Sequence, residues 1–166
     1  IAAYGCLMYV GFIFAAVFLG WGIGTSPIVS YHYGAENRAE LHNLYKKNLL
    51  AMGVFGLAMF VSAEALSVPF SKLFTGYDAE LFELTRRAFH LYSFSFLLMG
   101  FNMFGSSFFT ALNNGFVSAL ISFMRTLVFQ VASVLLLPLL WGIDGIWLSG
   151  IAYEILSVVV VAVCLV

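Results

Sequence analysis

Apolar residues fall into long unbroken runs in this chain, separated by short polar breaks. The residues from Ile1 to Ala35 include no Asp, Glu, Lys or Arg. About 20 residues of helix cross the ~30 Å hydrocarbon core of a bilayer, so a run of this length predicts a membrane span. Charged and Gly/Pro-rich breaks divide the chain into five expected spans, at 3–28, 49–70, 89–112, 116–140 and 143–166. Barrel strands alternate strictly over ~10 residues, which these runs do not, so helices are the way to satisfy the backbone in lipid. The expected fold is an all-α integral membrane protein with five transmembrane helices.

Consecutive spans alternate in direction. The connection from Gly34 to Lys47 and the Asn113-Asn114-Gly115 turn then share one membrane face. The stretch from Ser71 to Arg87 and the Trp141-Gly-Ile-Asp-Gly break share the other. Arg38, Lys46 and Lys47 stand on the first face and Lys72, Arg86 and Arg87 on the second. Positive charge alone therefore does not orient the chain. Arg125 lies inside the fourth span, within snorkelling reach of the first face. Asp78 suits a helix N-cap, with Glu80 and Glu83 near the first turn. Two readings stay open there: a short interfacial helix leading into the third span, or an extension of that span beyond the lipid. Gly20-x-x-x-Gly24 predicts close packing between helices. It is not a phosphate loop, because position 25 is Thr25 where G-x-G-x-x-G needs glycine.

Composition narrows the function classes. The chain is 63% hydrophobic and 9% charged, against roughly 25% charged in soluble domains. A net charge of −1 leaves no electrostatic footprint for nucleic acid. Cys6 and Cys164 are expected near opposite membrane faces, too far apart for a disulfide. His32, His42 and His90 are scattered without metal-ligand or catalytic spacing. No enzyme activity, cofactor or metal is expected. The chain opens and closes within apolar runs, and so reads as a piece of a longer polytopic protein. It shows no basic n-region or cleavage site of a signal peptide.

Ionisable residues inside a membrane are the default functional candidates. Glu64, near the end of the second span beside Ser62 and Ser67, reads chiefly as a carboxylate reaching the interface. Glu154 lies near mid-membrane in the fifth span, and Arg125 at similar depth in the antiparallel fourth. They are candidates for a structural ion pair, with Glu154 on a proton or ligand path as the other reading. Ser95, Met99, Asn102 and Ser106 fall close to one face of the third span. Such a stripe either lines a substrate or cation cavity or joins helices.

The residues Gly24-Thr-Ser-Pro-Ile-Val-Ser-Tyr-His-Tyr-Gly-Ala-Glu-Asn37 resemble the exit from the second helix of the C-terminal lobe in multidrug and toxic compound extrusion (MATE) transporters. Ala2-Ala-Tyr-Gly5 resembles the entry to that helix. Pro69-Phe-Ser-Lys-Leu-Phe74 with Asp78-Ala-Glu-Leu81 resembles the family's extracellular link. Phe108-Phe-Thr-Ala-Leu112 with Asn-Asn-Gly115 resembles its intracellular turn, and Gly142-Ile-Asp-Gly-Ile-Trp147 the start of its last helix. The resemblance implies helices eight to twelve of a twelve-helix protein, most of one six-helix lobe. The missing N-terminal lobe and the lipid bilayer would be its partners, with the Lys46 face in the cytoplasm. It implies a multi-pass protein of the bacterial inner membrane that exports small organic, amphipathic cations in exchange for sodium or protons.

One position departs from the family pattern. The sodium-coupled branch carries an aspartate nine residues before the alanine of the Ala-Leu turn and a tyrosine one turn earlier. Counting back from Ala111 gives Asn102 and then Leu98. An amide thus stands where that branch has a carboxylate, which leaves coupling through this lobe open. Two other readings compete: a flippase for lipid-linked precursors from the same superfamily, and a non-transporting membrane scaffold. The flippase would need basic residues to hold pyrophosphate, and only Arg125 is placed for it. The scaffold would show apolar helix faces throughout.

Overall fold

A computed structural model of the protein describes residues 2–165. Ile1, at the start of the uncharged run, and Val166, at the end of the expected fifth span, lie outside the described residues. The helices are α1 (Ala2–Gly34), α2 (Arg38–Thr75), α3 (Ala79–Ala111), α4 (Gly115–Phe123), a π-helical turn (Met124–Phe129) and α5 (Gln130–Leu165).

Side-chain caps mark where three of the helices begin. Asn37 accepts from the Glu40 amide at 3.1 Å, Asp78 from Glu80 at 2.9 Å and Leu81 at 3.2 Å, and Asn114 from Val117 at 3.3 Å. Each satisfies amides that the first turn of a helix leaves without a partner. Glu36 and Asn113, with φ of 54° and 59°, turn the chain at two of these junctions.

Two sequence expectations are corrected. First, no separate interfacial helix lies between Ser71 and Arg87. α2 continues through Pro69 to Thr75, and α3 starts directly after Asp78. The acidic first turn is simply the start of the long helix.

Second, among the described residues four helical runs are long and apolar enough to cross a membrane, the last of them two helices joined across a kink. The expected fourth and fifth spans form one 51-residue helical run, Gly115–Leu165. No loop separates them; a single bend at Gly142 (φ 58°, ψ −134°) does. Glycine alone adopts this backbone without strain. The run nonetheless doubles back. Arg125 and Glu154 would stand about 43 Å apart on a straight helix at 1.5 Å per residue, yet their side chains touch.

Both ends of the bundle agree with alternating direction. Ser30 Oγ donates to the Ala111 carbonyl at 2.9 Å, and the Tyr45 and Phe108 rings lie 5.3 Å apart. The α1–α2 and α3–α4 junctions therefore share one end. At the other end, Phe70 lies against Phe89 and Arg87 pairs with Asp144.

α3 is the wall the other helices share, touching α1, α2, α4 and α5. Ala88, Phe89 and Phe96 have no exposed surface. Apolar residues gain little by leaving lipid for protein, so membrane helices associate through close packing and polar contacts. Small residues mark the close approaches. A Cβ on Gly56 of α2 would lie 3.0 Å from the Leu97 carbonyl, and one on Gly105 would lie 2.6 Å from Val161. Phe18 of α1 packs over Gly100.

The expected Gly20/Gly24 packing patch is also corrected. Neither residue has a neighbour within 4 Å of a built Cβ, whereas a Cβ on Gly22 would meet Ser107 Oγ at 2.7 Å. Gly22 lies two residues from each, about 200° around the helix at 3.6 residues per turn, and faces α3.

Gly22→Ala is therefore expected to destabilise the intact protein by about 1–3 kcal/mol through overpacking. Gly20→Ala and Gly24→Ala should be neutral or slightly stabilising, by up to ~1 kcal/mol of helix propensity. Thermal unfolding of the three variants in detergent checks the order.

Candidate functional site

Glu154 on α5 has no exposed surface. Its carboxylate is met from two other elements. From the π-helical turn, Arg125 donates through Nη2 to Oε1 at 2.5 Å and through Nε to Oε2 at 3.3 Å. From α3, the Asn102 amide Nδ2 donates to Oε2 and, at 3.0 Å, to the Glu154 backbone carbonyl. The buried phenols of Tyr92 and Tyr153 flank this cluster. A fork-on-carboxylate pair with a further amide donor is how a charge is held away from water.

Arg125, within snorkelling reach of one face by its place in the sequence, is held in this pair instead, with its side chain only 19% exposed. Arg125 sits in a turn where the Gln130 amide reaches back five residues to the Arg125 carbonyl. Such π turns are rare and concentrate at functional sites.

The polar stripe of α3 divides among different partners. Ser95 and Met99 are buried, and the Ser95 hydroxyl donates to its own helix at the Tyr92 carbonyl, 2.7 Å away. Asn102 holds Glu154. Ser106 lies 2.9 Å from both Ser118 Oγ and Ser122 Oγ of α4, and Thr110 lies 2.7 Å from Ser118. Asn102 and Ser106, together with Ser107, Ser122, Arg125 and Thr126, line a cavity of about 140 Å³. Ser95 and Met99 do not line it. The Asn102 Oδ1 atom is buried and has no hydrogen-bond partner among the described residues.

Other polar contacts were not anticipated. The Glu64 carboxylate is bound from α3 by His90 Nδ1 and Ser93 Oγ. Trp21 Nε1 donates to Asn48 Oδ1 at 2.6 Å, joining α1 to α2. The i, i+4 spacings of Ser106/Thr110 and Ser118/Ser122, either side of a tight turn, carried a signal for the serine ladder. The Glu64–His90 and Trp21–Asn48 pairs had none. Cys6 and Cys164 are free thiols. A larger hollow, of about 650 Å³, opens at the Arg87 end among Asp78, Glu80, Glu83, Arg86 and His90. Arg86 pairs with Glu83 there at 3.2 Å.

Residues 1–136 match the MatE family model. The chain belongs to the MATE family. It is also similar to two solved structures, the bent form of the Vibrio cholerae MATE transporter VcmN and an aspartate-to-asparagine mutant of that transporter. Each is 18% identical, with a TM-score of 0.89, over 98% of this chain and 37% of the transporter. At that identity the likeness shows the fold. The chain spans a little over a third of the length of these relatives. No curated protein sequence matches it. This MATE-family chain is thus a multi-pass membrane structure with a charged cluster at its centre.

Removing one partner of a buried ion pair costs about 3–5 kcal/mol, whereas replacing both by apolar groups is often near neutral. Glu154→Gln in the intact protein should lie at the low end of that range, since the Arg125 side chain is not fully buried. The double variant Arg125→Met/Glu154→Leu should be more stable than either single one. A double-mutant cycle by thermal unfolding checks this; additive effects would mean that the two side chains are not coupled.

Proposed function

We propose that the chain is part of the C-terminal lobe, helices eight to twelve, of a secondary active transporter. The transporter exports cationic amphipathic molecules in exchange for sodium or protons, from the inner membrane of a bacterium. The reading is carried by the similarity of fold to a MATE transporter over nearly the whole chain. Its mechanism is alternating access: two lobes rock about a central site, and ion and substrate each favour one state by binding it better. A lobe that moves as a body needs rigid internal packing. The interlock of α3 with its neighbours and the ladder of Ser106, Thr110, Ser118 and Ser122 supply it.

Two competing readings are weaker. A flippase for lipid-linked pyrophosphates needs free basic groups within the membrane, and Arg125 is committed to Glu154. A scaffold has no use for a carboxylate, guanidinium and amide gathered at mid-bundle, where each is costly to desolvate.

The test uses the intact protein in lipid vesicles loaded with a cationic dye. Imposed sodium or proton gradients should drive dye efflux. Asn102→Leu should slow efflux severalfold while membrane insertion stays unchanged. Efflux at the wild-type rate in that variant would reduce Asn102 to a packing contact. No gradient-driven efflux in the wild type would overturn the reading.

A further inference from the structure

The cluster around Glu154 has the makings of a cation site, and one cation is already in it. The polar groups gathered here are hard oxygens: a carboxylate with no exposed surface, the Asn102 amide, and the hydroxyl residues Ser106, Ser107, Ser122 and Thr126, which line the adjoining cavity beside Leu19, Met103 and Ile121. Oxygen ligands of this kind suit small hard cations. The Asn102 Oδ1 acceptor is buried and has no hydrogen-bond partner among the described residues. Without Arg125 the set would carry a single negative charge, matching a monovalent ion. The Arg125 guanidinium takes up that charge, with both carboxylate oxygens engaged.

We propose that Arg125 is a tethered cation occupying, in this lobe, a site that would otherwise bind a free monovalent cation such as sodium. The pair is neutral as it stands, so an entering ion would meet the guanidinium's positive charge and no free carboxylate oxygen. This lobe then does not exchange ions. Removing the guanidinium opens the site, because the cavity already reaches Arg125 and its side chain is not fully buried. The flanking phenols of Tyr92 on α3 and Tyr153 on α5 are never cationic and cannot replace the lost charge. An unpaired carboxylate in such surroundings takes up either a proton or a cation. The inference rests on the transport reading only for its consequence about coupling. Its test reads ion binding without transport, so either can fail alone.

The experiment is carbodiimide labelling of the purified intact protein at neutral pH, with the labelled residue located by peptide mass spectrometry. Dicyclohexylcarbodiimide modifies protonated carboxyl groups in apolar surroundings. In the wild type, Glu154 should stay unlabelled with or without sodium. In Arg125→Gln, Glu154 should label about tenfold faster or more, as expected for a carboxylate that has lost its counter-charge. Sodium chloride should suppress that labelling and choline chloride should not. Arg125→Lys keeps a tethered charge and should behave like the wild type. Sodium-sensitive labelling of wild-type Glu154 would overturn the proposal, and this arm stands even if Arg125→Gln does not fold. So would a folded Arg125→Gln protein in which Glu154 stays unlabelled, or labels at a rate sodium does not change.

Discussion

Inside hydrocarbon, a backbone amide without an internal partner has no water to turn to, and each such group costs several kcal/mol. The architecture follows from this. The helices α1, α2 and α3, of 33, 38 and 33 residues, are longer than the hydrocarbon core is thick, and the chain leaves helical geometry only briefly. Three junctions of about three residues each are closed by the side chains of Asn37, Asp78 and Asn114. The remaining reversal uses no loop at all. Gly142 turns the backbone through one residue, and helix resumes immediately on the far side. Pro27, Pro69 and Pro138 all sit within helices rather than ending them.

Once the helices exist, apolar burial has little power to choose among their arrangements, since lipid is as apolar as leucine. Fit and polar contacts decide instead. α3 is central because its surface offers both. Close approach is possible where glycine faces it or lies on it, at Gly22, Gly56, Gly100 and Gly105. Hydroxyl and amide groups along it bind α4, α5 and α2 in turn, through Ser106, Asn102 and Ser93. The outer faces carry large exposed apolar residues such as Phe12, Ile23 and Leu139, as lipid contact or further helices require.

The Glu154 cluster joins these two themes. A charge so deep is tolerable only when neutralised and hydrogen-bonded. Arg125, Asn102 and the reversal at Gly142 together achieve that. The same arrangement bears on the proposed transport role, because a carboxylate already matched by an internal cation is a different object from one awaiting an ion. An amide at position 102 fits this balance, since it donates to Glu154 without adding a second negative charge beside it.

Much of this was legible in the residues alone. Uncharged runs longer than a bilayer is thick required helical spans. The order of short motifs, from Gly24-Thr-Ser-Pro to Gly142-Ile-Asp-Gly, pointed to the family. Arg125 and Glu154 stood out because charge in a span is costly wherever it points. Those features depend on composition and local spacing, which a linear sequence carries. What it did not carry was rotation and partner. Nothing in Gly20, Gly22 and Gly24 says which of them faces α3, because that depends on how α1 is turned in the bundle. Nor does Glu64 announce His90, 26 positions away on another helix. The linker at Gly142 looked like a loop because Trp-Gly-Ile-Asp-Gly is turn-forming in isolation, and packing of Gly145 against Leu137 made it a single sharp bend. Local chemistry decides that a segment crosses the membrane. Only the packed bundle decides which face each helix presents, and therefore which polar groups meet.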